Sequence, residues 1–327
     1  MTHAWMRIVL LVWLLSQSGG AWAVHRLTLG VFAFRPPAVM EPMMRPLADY
    51  IAAGLDGHQV DVVYLDQAGL MAAVQSRQVD LVFTNPVHFM LLRSVGSLNT
   101  LMATAITQQD GQAVKSLGGV IIARAGVHTW QRLADLDGLR IGIPGRTFLG
   151  GYQAQAYEFR AQNLPFPAGH VEVVLGGHDD VVLAVLDGRV DVGFVRTGII
   201  ERMRDANGPV LPRLHVINAQ TFAGFPYAIS TRLYPEWPVV ALAHVDDELV
   251  RQVASRLLAL PSDHPAAVAA GLGGFAPLPT TCPSRRWPAS CACPPTMRPR
   301  CSTGMPCGCA TSGAWWRVGW VFSHCWC

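Results

Sequence analysis

Lysine is almost missing from this chain of 327 residues: Lys115 is the only one among 25 basic residues, and charged side chains of both signs make up 14%. The formal net charge is +3, and the arginines are scattered rather than gathered into a basic stripe interleaved with aromatics, which excludes an electrostatic footprint for nucleic acid. So strong a preference for Arg fits a GC-rich coding sequence. Cysteine is absent from residues 24–281, so the expected globular part has neither a thiol nucleophile nor a disulfide framework. Also lacking are a Walker loop, a Gly-x-Ser-x-Gly elbow, a His-Glu-x-x-His pair and any kinase catalytic motif. A phosphotransferase is thereby excluded for this chain, and a hydrolase is left as an alternative without visible machinery. No cofactor and no metal site are expected in the globular part.

Long apolar runs are scarce too. Arg7 precedes the run Ile8 to Leu15, and Ala21-Trp22-Ala23 supplies small residues at both selective positions of a signal-peptidase site. The run is too short to span a bilayer. Residues 1–23 are therefore expected to be a signal peptide, with a mature chain beginning near Val24 in the periplasm and a membrane anchor absent or lost.

What is present is a repeat. Val79-Asp80-Leu81-Val82-Phe83-Thr84 and Val190-Asp191-Val192-Gly193-Phe194-Val195 each follow a short helix and run into polar groups that open another, Thr84-Asn85-Pro86 in one copy and Arg196-Thr197-Gly198 in the other. In open α/β sheets ligands bind beyond the carboxyl ends of strands, where helix N-terminal N–H groups are free. Two such edges facing each other make a clamp.

Strands are expected at Leu27 to Phe32, Val60 to Leu65, Leu139 to Ile143, Val171 to Leu175 and Leu214 to Ile217, with helices at Glu41 to Leu55, Ala68 to Ser76 and Asp180 to Leu186. A further helix starts at Asp246-Asp247-Glu248 and buries Leu249, Val250, Val253, Leu257 and Leu258. Gly118 to Ala125 and Phe225 to Thr231 read as the segments that cross between lobes. The fold class is α/β and two-lobed, with a parallel-dominated sheet in each lobe and a hinge of two crossing segments. Lobe 1 comprises residues 24–110 and 224–278, lobe 2 residues 111–223, and residues 279–327 stand apart.

The candidate ligand residues are Phe34, Arg35, Thr84, Asn85, Arg146, Thr147, Gly150, Gly151, Tyr152, Arg196 and Thr197. Hydroxyls, an amide, main-chain N–H groups and guanidiniums are mostly donors, which suits a small oxyanion of sulfur or phosphorus. Asp80 and Asp191, at strand starts, read as structural caps or pairs. His88, in an apolar helix, reads as packed, and Tyr234 to Pro238 as a structural corner. Gly150-Gly151 is either a tight turn or a binding loop.

Three motifs carry a family resemblance: Val79 to Pro86, Phe148-Leu149-Gly150-Gly151-Tyr152-Gln153, and Ser230-Thr231-Arg232-Leu233-Tyr234-Pro235-Glu236-Trp237-Pro238. Over about residues 26–278 the chain resembles the periplasmic type-II solute-binding proteins of the phosphonate-binding-like group. Within that group it is most similar to the sensor region of tetrathionate-type sensor histidine kinases. The resemblance implies a domain that closes on its ligand and signals to a membrane kinase, or else delivers the ligand to an ABC permease. Members of the sensor group continue into a helical segment, a membrane helix and kinase domains.

This chain departs from that pattern near Pro279. All eight cysteines fall between Cys282 and Cys327, a stretch with no Leu, Ile, Asp, Glu, Lys, Asn, Gln or Tyr. Cys291/Cys293, Cys307/Cys309 and Cys325/Cys327 are spaced too closely for a usual zinc knuckle, and no disulfide framework is recognisable. A frameshift accounts better for the change: Trp315-Trp316, read one frame away, yields Val, and the same frame permits an acid at Thr280-Thr281. The expected tail is an aberrant one, and resequencing Gly274 to Cys282 tests it.

Overall fold

One device locks both copies of the repeated pattern into their sheets. The fold is that of a computed structural model, which describes residues 25–94, 98–109, 111–167 and 171–277. The Asp80 N–H donates to Thr28 O at 2.9 Å while Asp80 Oδ2 accepts the Thr28 N–H at 2.7 Å. Asp191 and Arg140 repeat the exchange at 2.9 and 2.8 Å, and the second carboxylate also pairs with Arg140 Nη2 at 2.6 Å. Each acid ties the start of its strand to the parallel neighbour, a structural role in both copies. The expected signal peptide and tail lie outside the described residues.

The first sheet contains β1 (His25–Phe32), β2 (His58–Leu65), β3 (Leu81–Phe83), β4 (Leu98–Gln109) and β5 (Gln112–Val114). Helices α1 (Pro37–Ala52), α2 (Gln67–Gln75) and α3 (Pro86–Ser94) are threaded among them. The chain then passes through β6 (Ser116–Leu117) into β7 (Gly119–Arg124), β8 (Arg140–Ile143), α4 (Ala154–Ala161), β9 (Val171–Val174), α5 (His178–Leu186), β10 (Val192–Arg196) and α6 (Ile199–Arg202). A small hairpin, β11 (Arg204–Asp205) with β12 (Gly208–Pro209), precedes β13 (Leu214–Ile217). The return runs through β14 (Tyr234–Pro235), β15 (Pro238–Leu242), α7 (Asp247–Leu258), α8 (Pro265–Ala270) and β16 (Leu272–Ala276).

Spatial order in the first sheet is β16-β4-β15-β3-β1-β2, with β5 on β4; in the second it is β13-β7-β10-β8-β9. The expected parallel core is present as β2-β1-β3 and as β10-β8-β9. Antiparallel strands extend both: β15, β4 and β16 in the first sheet, β7 and β13 in the second. The sheets are therefore mixed, and the return of the chain fills the far half of the first one.

The crossing lies elsewhere than expected. Val120 to Ala123 are buried apolar residues, so β7 needs a neighbour on each side and takes β10 and β13 instead of bridging the lobes. The end of Phe225 to Thr231 likewise stays on the second sheet: Ser230 N–H donates to Gly119 O at 2.9 Å and Ser230 Oγ accepts from Ile121 N at 2.9 Å. The crossing is the two-stranded ribbon β6/β14, with Leu117 opposite Tyr234 and Ser116 opposite Pro235, extended by Glu236 N–H to Lys115 O at 3.2 Å.

Helix α1 starts at Pro37, earlier than the expected Glu41, because Pro36 and Pro37 have the φ that a first turn requires. Pro42 and Pro46 then sit inside it, each forfeiting a bond to the carbonyl four residues back. Asp246 caps α7 as expected, but only Val250, Val253 and Leu257 are buried, and Leu258 points outward. Met40, Met44, Leu47 and Ile51 of α1 join Leu29, Val31 and Phe83 in the first core, each large side chain contributing about 1.5–3 kcal/mol. In the second lobe a Cβ on Gly193 would stand 2.8 Å from Val181 and Val185, so α5 rests directly on β10. That close approach places His178 at the carboxyl edge of the second sheet.

Candidate functional site

In the first lobe β3 ends in Thr84, which is fully buried, and Asn85, which caps α3 by accepting the His88 N–H at 2.9 Å. Thr84 Oγ1 and His88 Nδ1 are 2.9 Å apart. Burial holds the His88 imidazole down to about pKa 4, so it is neutral near pH 7; its ring packs edge-on to Phe32 at 5.8 Å. Asn85 Nδ2 and His88 Nε2 are enclosed with no hydrogen-bond partner among the described residues.

In the second lobe the loop after β8 opens into a π-helical turn, Leu149–Gln153, that continues as α4. Its two glycines are demanded by packing. A Cβ on Gly150 would stand 2.9 Å from Arg196 side-chain carbons and from Gly118 O, and one on Gly151 would stand 2.4 Å from Pro144 Cγ and 2.7 Å from His178 Cε1. The tight-turn reading is thus met by packing, and the turn is pressed against the candidate Arg196. Arg146 is exposed and pairs with Glu172 at 2.8 Å, and Thr147 beside it is also exposed. Tyr152 packs on Phe166 at 5.8 Å, and burial, then the Glu172 charge, raises the pKa of its hydroxyl.

Thr197 is 1% exposed and spent on the crossing: its Oγ1 accepts the Gly118 N–H, and its own N–H donates to Gly118 O, both at 3.0 Å. Arg196 Nη2 meets Glu236 Oε1 at 2.6 Å, and its N–H donates to His178 Nδ1 at 3.4 Å. His178 is held down to about pKa 3, by burial first and then by the Arg196 and Arg35 charges. Arg35 reaches from the loop after β1 to Asp179 at the start of α5, with Nε and Nη2 at 3.2 and 3.3 Å from its two oxygens. Phe34 packs against Trp237 at 5.4 Å.

The structure thus brings together Arg196, Gly150 and Gly151 around His178, and places Phe34 and Arg35 across from them. Thr84 and Asn85 sit at the opposite edge, while Arg146, Thr147 and Tyr152 lie toward the outer side of β9, and Thr197 serves the hinge. Four residues that the sequence reading did not select stand in this region: Phe148, His178, Glu236 and Trp237. Phe148 bridges the lobes by packing on Phe32 at 5.5 Å and on His178 at 5.4 Å. Trp237 lies against Phe32, Phe34 and Phe83. Glu236 and Trp237 belong to the Tyr234 to Pro238 motif, whose reading as a corner overlooked an acid beside a Trp in a segment without other acids. Among the described residues no cluster of three or more His, Cys, Asp or Glu converges as metal ligands do.

The profile of a family described as ABC transporter, phosphonate, periplasmic substrate-binding protein matches residues 29–279. A tetrathionate sensor histidine kinase of Salmonella typhimurium is 29% identical over 247 residues, 74% of this chain and 41% of that protein; the chain thus spans under half the length of this curated relative. A Xanthomonas citri protein solved bound to chloride ion shares the fold at TM-score 0.62 and 18% identity, covering 78% of this chain and 92% of that one. A binding protein component of an ABC phosphonate transporter from Pseudomonas aeruginosa gives 0.61 and 17%, covering 77% and 80%. A Prochlorococcus marinus protein in complex with methylphosphonate gives 0.58 and 15%, covering 77% and 92%.

Proposed function

This chain belongs to the phosphonate-type family of periplasmic substrate-binding proteins, and we propose that it clamps a small oxyanion of sulfur or phosphorus between its lobes as the sensing part of a two-component system. The observation that supports the reading is Phe148, packed between Phe32 of β1 and His178 of α5, which links two strand-to-helix edges: Thr84-Asn85 with an unpartnered buried amide donor on one side, and Arg196 pressed against the Gly150-Gly151 turn on the other. The boundaries expected at residues 111 and 224 shift to the crossing: the part of the chain before β6 together with the part after β14 acts as one lobe and the part between them as the other, moving about the β6/β14 ribbon. Residues 1–23 direct the chain to the periplasm. Binding does work only through a preference for the closed arrangement. The ligand-binding set is Phe34, Arg35, Thr84, Asn85, Arg196 and the Gly150-Gly151 turn, with Arg146, Thr147, Tyr152 and Thr197 supporting it.

The sensor role draws on the likeness to the Salmonella sensor kinase. Delivery to an ABC permease draws equally on the family profile and on the Pseudomonas binding protein. Calorimetric titration with tetrathionate, methylphosphonate, inorganic phosphate and sulfate should show saturable binding of at least one, and no saturable binding of any would overturn the clamp. Restored uptake of the bound anion in cells lacking their own binding protein would favour the transporter reading over the sensor.

A further inference from the structure

Arg35, Arg146 and Arg196, the three guanidiniums selected from the sequence, each already face a carboxylate. A fourth, Arg202, does not. It ends α6 and follows Thr197 and Gly198 by one turn, and among the described residues no carboxylate lies within ion-pair distance of it. Gly198 admits its head group: the residue is left-handed at φ +80°, and a Cβ there would stand 3.1 Å from Arg202 Nη2 and 3.2 Å from Tyr227 Cζ. Arg202 Cζ is 5.9 Å from the centre of the Tyr227 ring, whose hydroxyl donates to Gln108 O on β4 at 3.4 Å. The guanidinium therefore stands where the second lobe meets the first.

Its charge is under-compensated. The neighbouring Glu201 spends Oε1 on the Ala228 N–H at 2.7 Å, and its Oε2 is enclosed without a partner. Glu236 acts on Arg202 only from a distance, being committed to Arg196. Arg202 is an exposed residue whose head group is only partly desolvated; that desolvation, and after it the nearby Arg196 charge, lowers its pKa, and Tyr227, Glu236 and Glu201 offset this in part. A guanidinium so placed gains more from an incoming anion than one already paired, because no existing ion pair has to break.

We propose that Arg202 anchors the bound anion, taking two oxygens of one phosphorus or sulfur centre in its planar fork. This deepens the oxyanion-clamp reading and rests on it. An Arg fork selects for a centre with two or more oxygens over a spherical halide, and Lys reproduces its charge but not its geometry.

The full chain is titrated calorimetrically with methylphosphonate, inorganic phosphate and tetrathionate at fixed ionic strength, as wild type, Arg202→Ala, Arg202→Lys and Arg160→Ala, the last an exposed arginine on α4. Arg202→Ala should weaken each anion that the wild type binds by about ten- to hundredfold, Arg202→Lys by less, and Arg160→Ala should leave affinity unchanged. Should Arg202→Ala not fold, the retained fold of Arg202→Lys with a several-fold loss carries the same test. Wild-type affinity in both Arg202 variants overturns the anchor and leaves the clamp standing. If the wild type binds none of the three anions, clamp and anchor fall together.

Discussion

Glu236→Ala tests the charge balance of the cleft directly. The residue is 2% exposed, and its carboxylate lies 2.6 Å from Arg196 Nη2, on a side chain that is itself 18% exposed. Its second oxygen accepts the Trp237 N–H at 3.3 Å. With the acid gone, the remaining acceptor for the Arg196 head group is Thr197 O at 3.5 Å, and the Nε of Arg196 already has no partner. Breaking a buried ion pair from one side costs about 3–5 kcal/mol, because a desolvated charge loses its counter-charge. The partial exposure of Arg196 puts the expected loss near the lower end, about 3 kcal/mol. With m of about 2–3 kcal/mol/M, the urea midpoint should fall by about 1 M or more with m unchanged. Glu236→Ala with Arg196→Met should recover much of the loss, since the orphaned charge is then gone as well. Methylphosphonate affinity of the single variant should rise, opposite in sign to its stability, where the anion takes the released Arg196, and stay unchanged where Arg202 holds it. A loss under about 1 kcal/mol, or a double variant no more stable than the single one, would refute the coupling.

Three further outcomes are expected. His88 and His178 are buried and neutral, with folded pKa values of about 4 and about 3 against 6.5 when unfolded. Below pH 6.5 the unfolded chain therefore binds protons that the folded one does not, and stability should fall by about 1.4 kcal/mol per pH unit per histidine down to about pH 4. Urea unfolding at pH 7, 6 and 5 reads this; a flat profile contradicts it, and His178→Gln should halve the slope. In Gly151→Ala the new Cβ would meet the rigid Pro144 ring at 2.4 Å. Overpacking of about 1–3 kcal/mol should outweigh the gain of about 1 kcal/mol in helix propensity and lower Tm by a few degrees, and a raised Tm in a calorimetric scan would count against the packing described. Thr197→Val leaves the buried Gly118 N–H without its acceptor at 3.0 Å. A loss of about 1–3 kcal/mol in urea unfolding is expected, and an unchanged midpoint would remove Thr197 from the hinge.

What the sequence disclosed was local. The parallel βαβ order, the strand starts at Asp80 and Asp191 and the Asp246 cap depend on residues close in the chain or on strong periodicity, and each was legible. The antiparallel half was not. β4, Leu98–Gln109, is built of Thr, Ala, Asn and Gln with few large apolar residues, and β16 contains Gly273 and Gly274, the latter at φ +107° beside a register shift. Neither shows the β-branched alternation that marks a strand, and both owe their conformation to the neighbours they pair with. The donor set was legible by residue type but not by state. Arg35 meets its acid 144 residues away and Arg196 meets Glu236 40 residues away, distances over which no spacing rule acts. Arg202 was passed over because the exposed end of a four-residue helix gives no signal in one dimension.

The placement of Glu236 makes the cleft and the hinge one electrostatic unit. Arg196 ends β10, while Glu236 follows β14, the hinge strand, and its N–H is bonded to Lys115 on the other crossing segment. Thr197 and Thr231 hold Gly118 and Gly119, where that segment leaves the ribbon and enters β7, by side-chain bonds of 3.0 and 2.9 Å. An oxyanion that takes Arg196 would have to displace Glu236, so part of its binding free energy would be offset by an acid left buried at the hinge. One that is held by Arg202 instead would leave the Arg196–Glu236 pair intact and would act on the hinge only through the approach of the lobes. The two modes differ in a measurable way. In the first, Glu236→Gln strengthens binding by removing the competitor; in the second, the same variant leaves affinity unchanged while Arg202→Ala abolishes most of it.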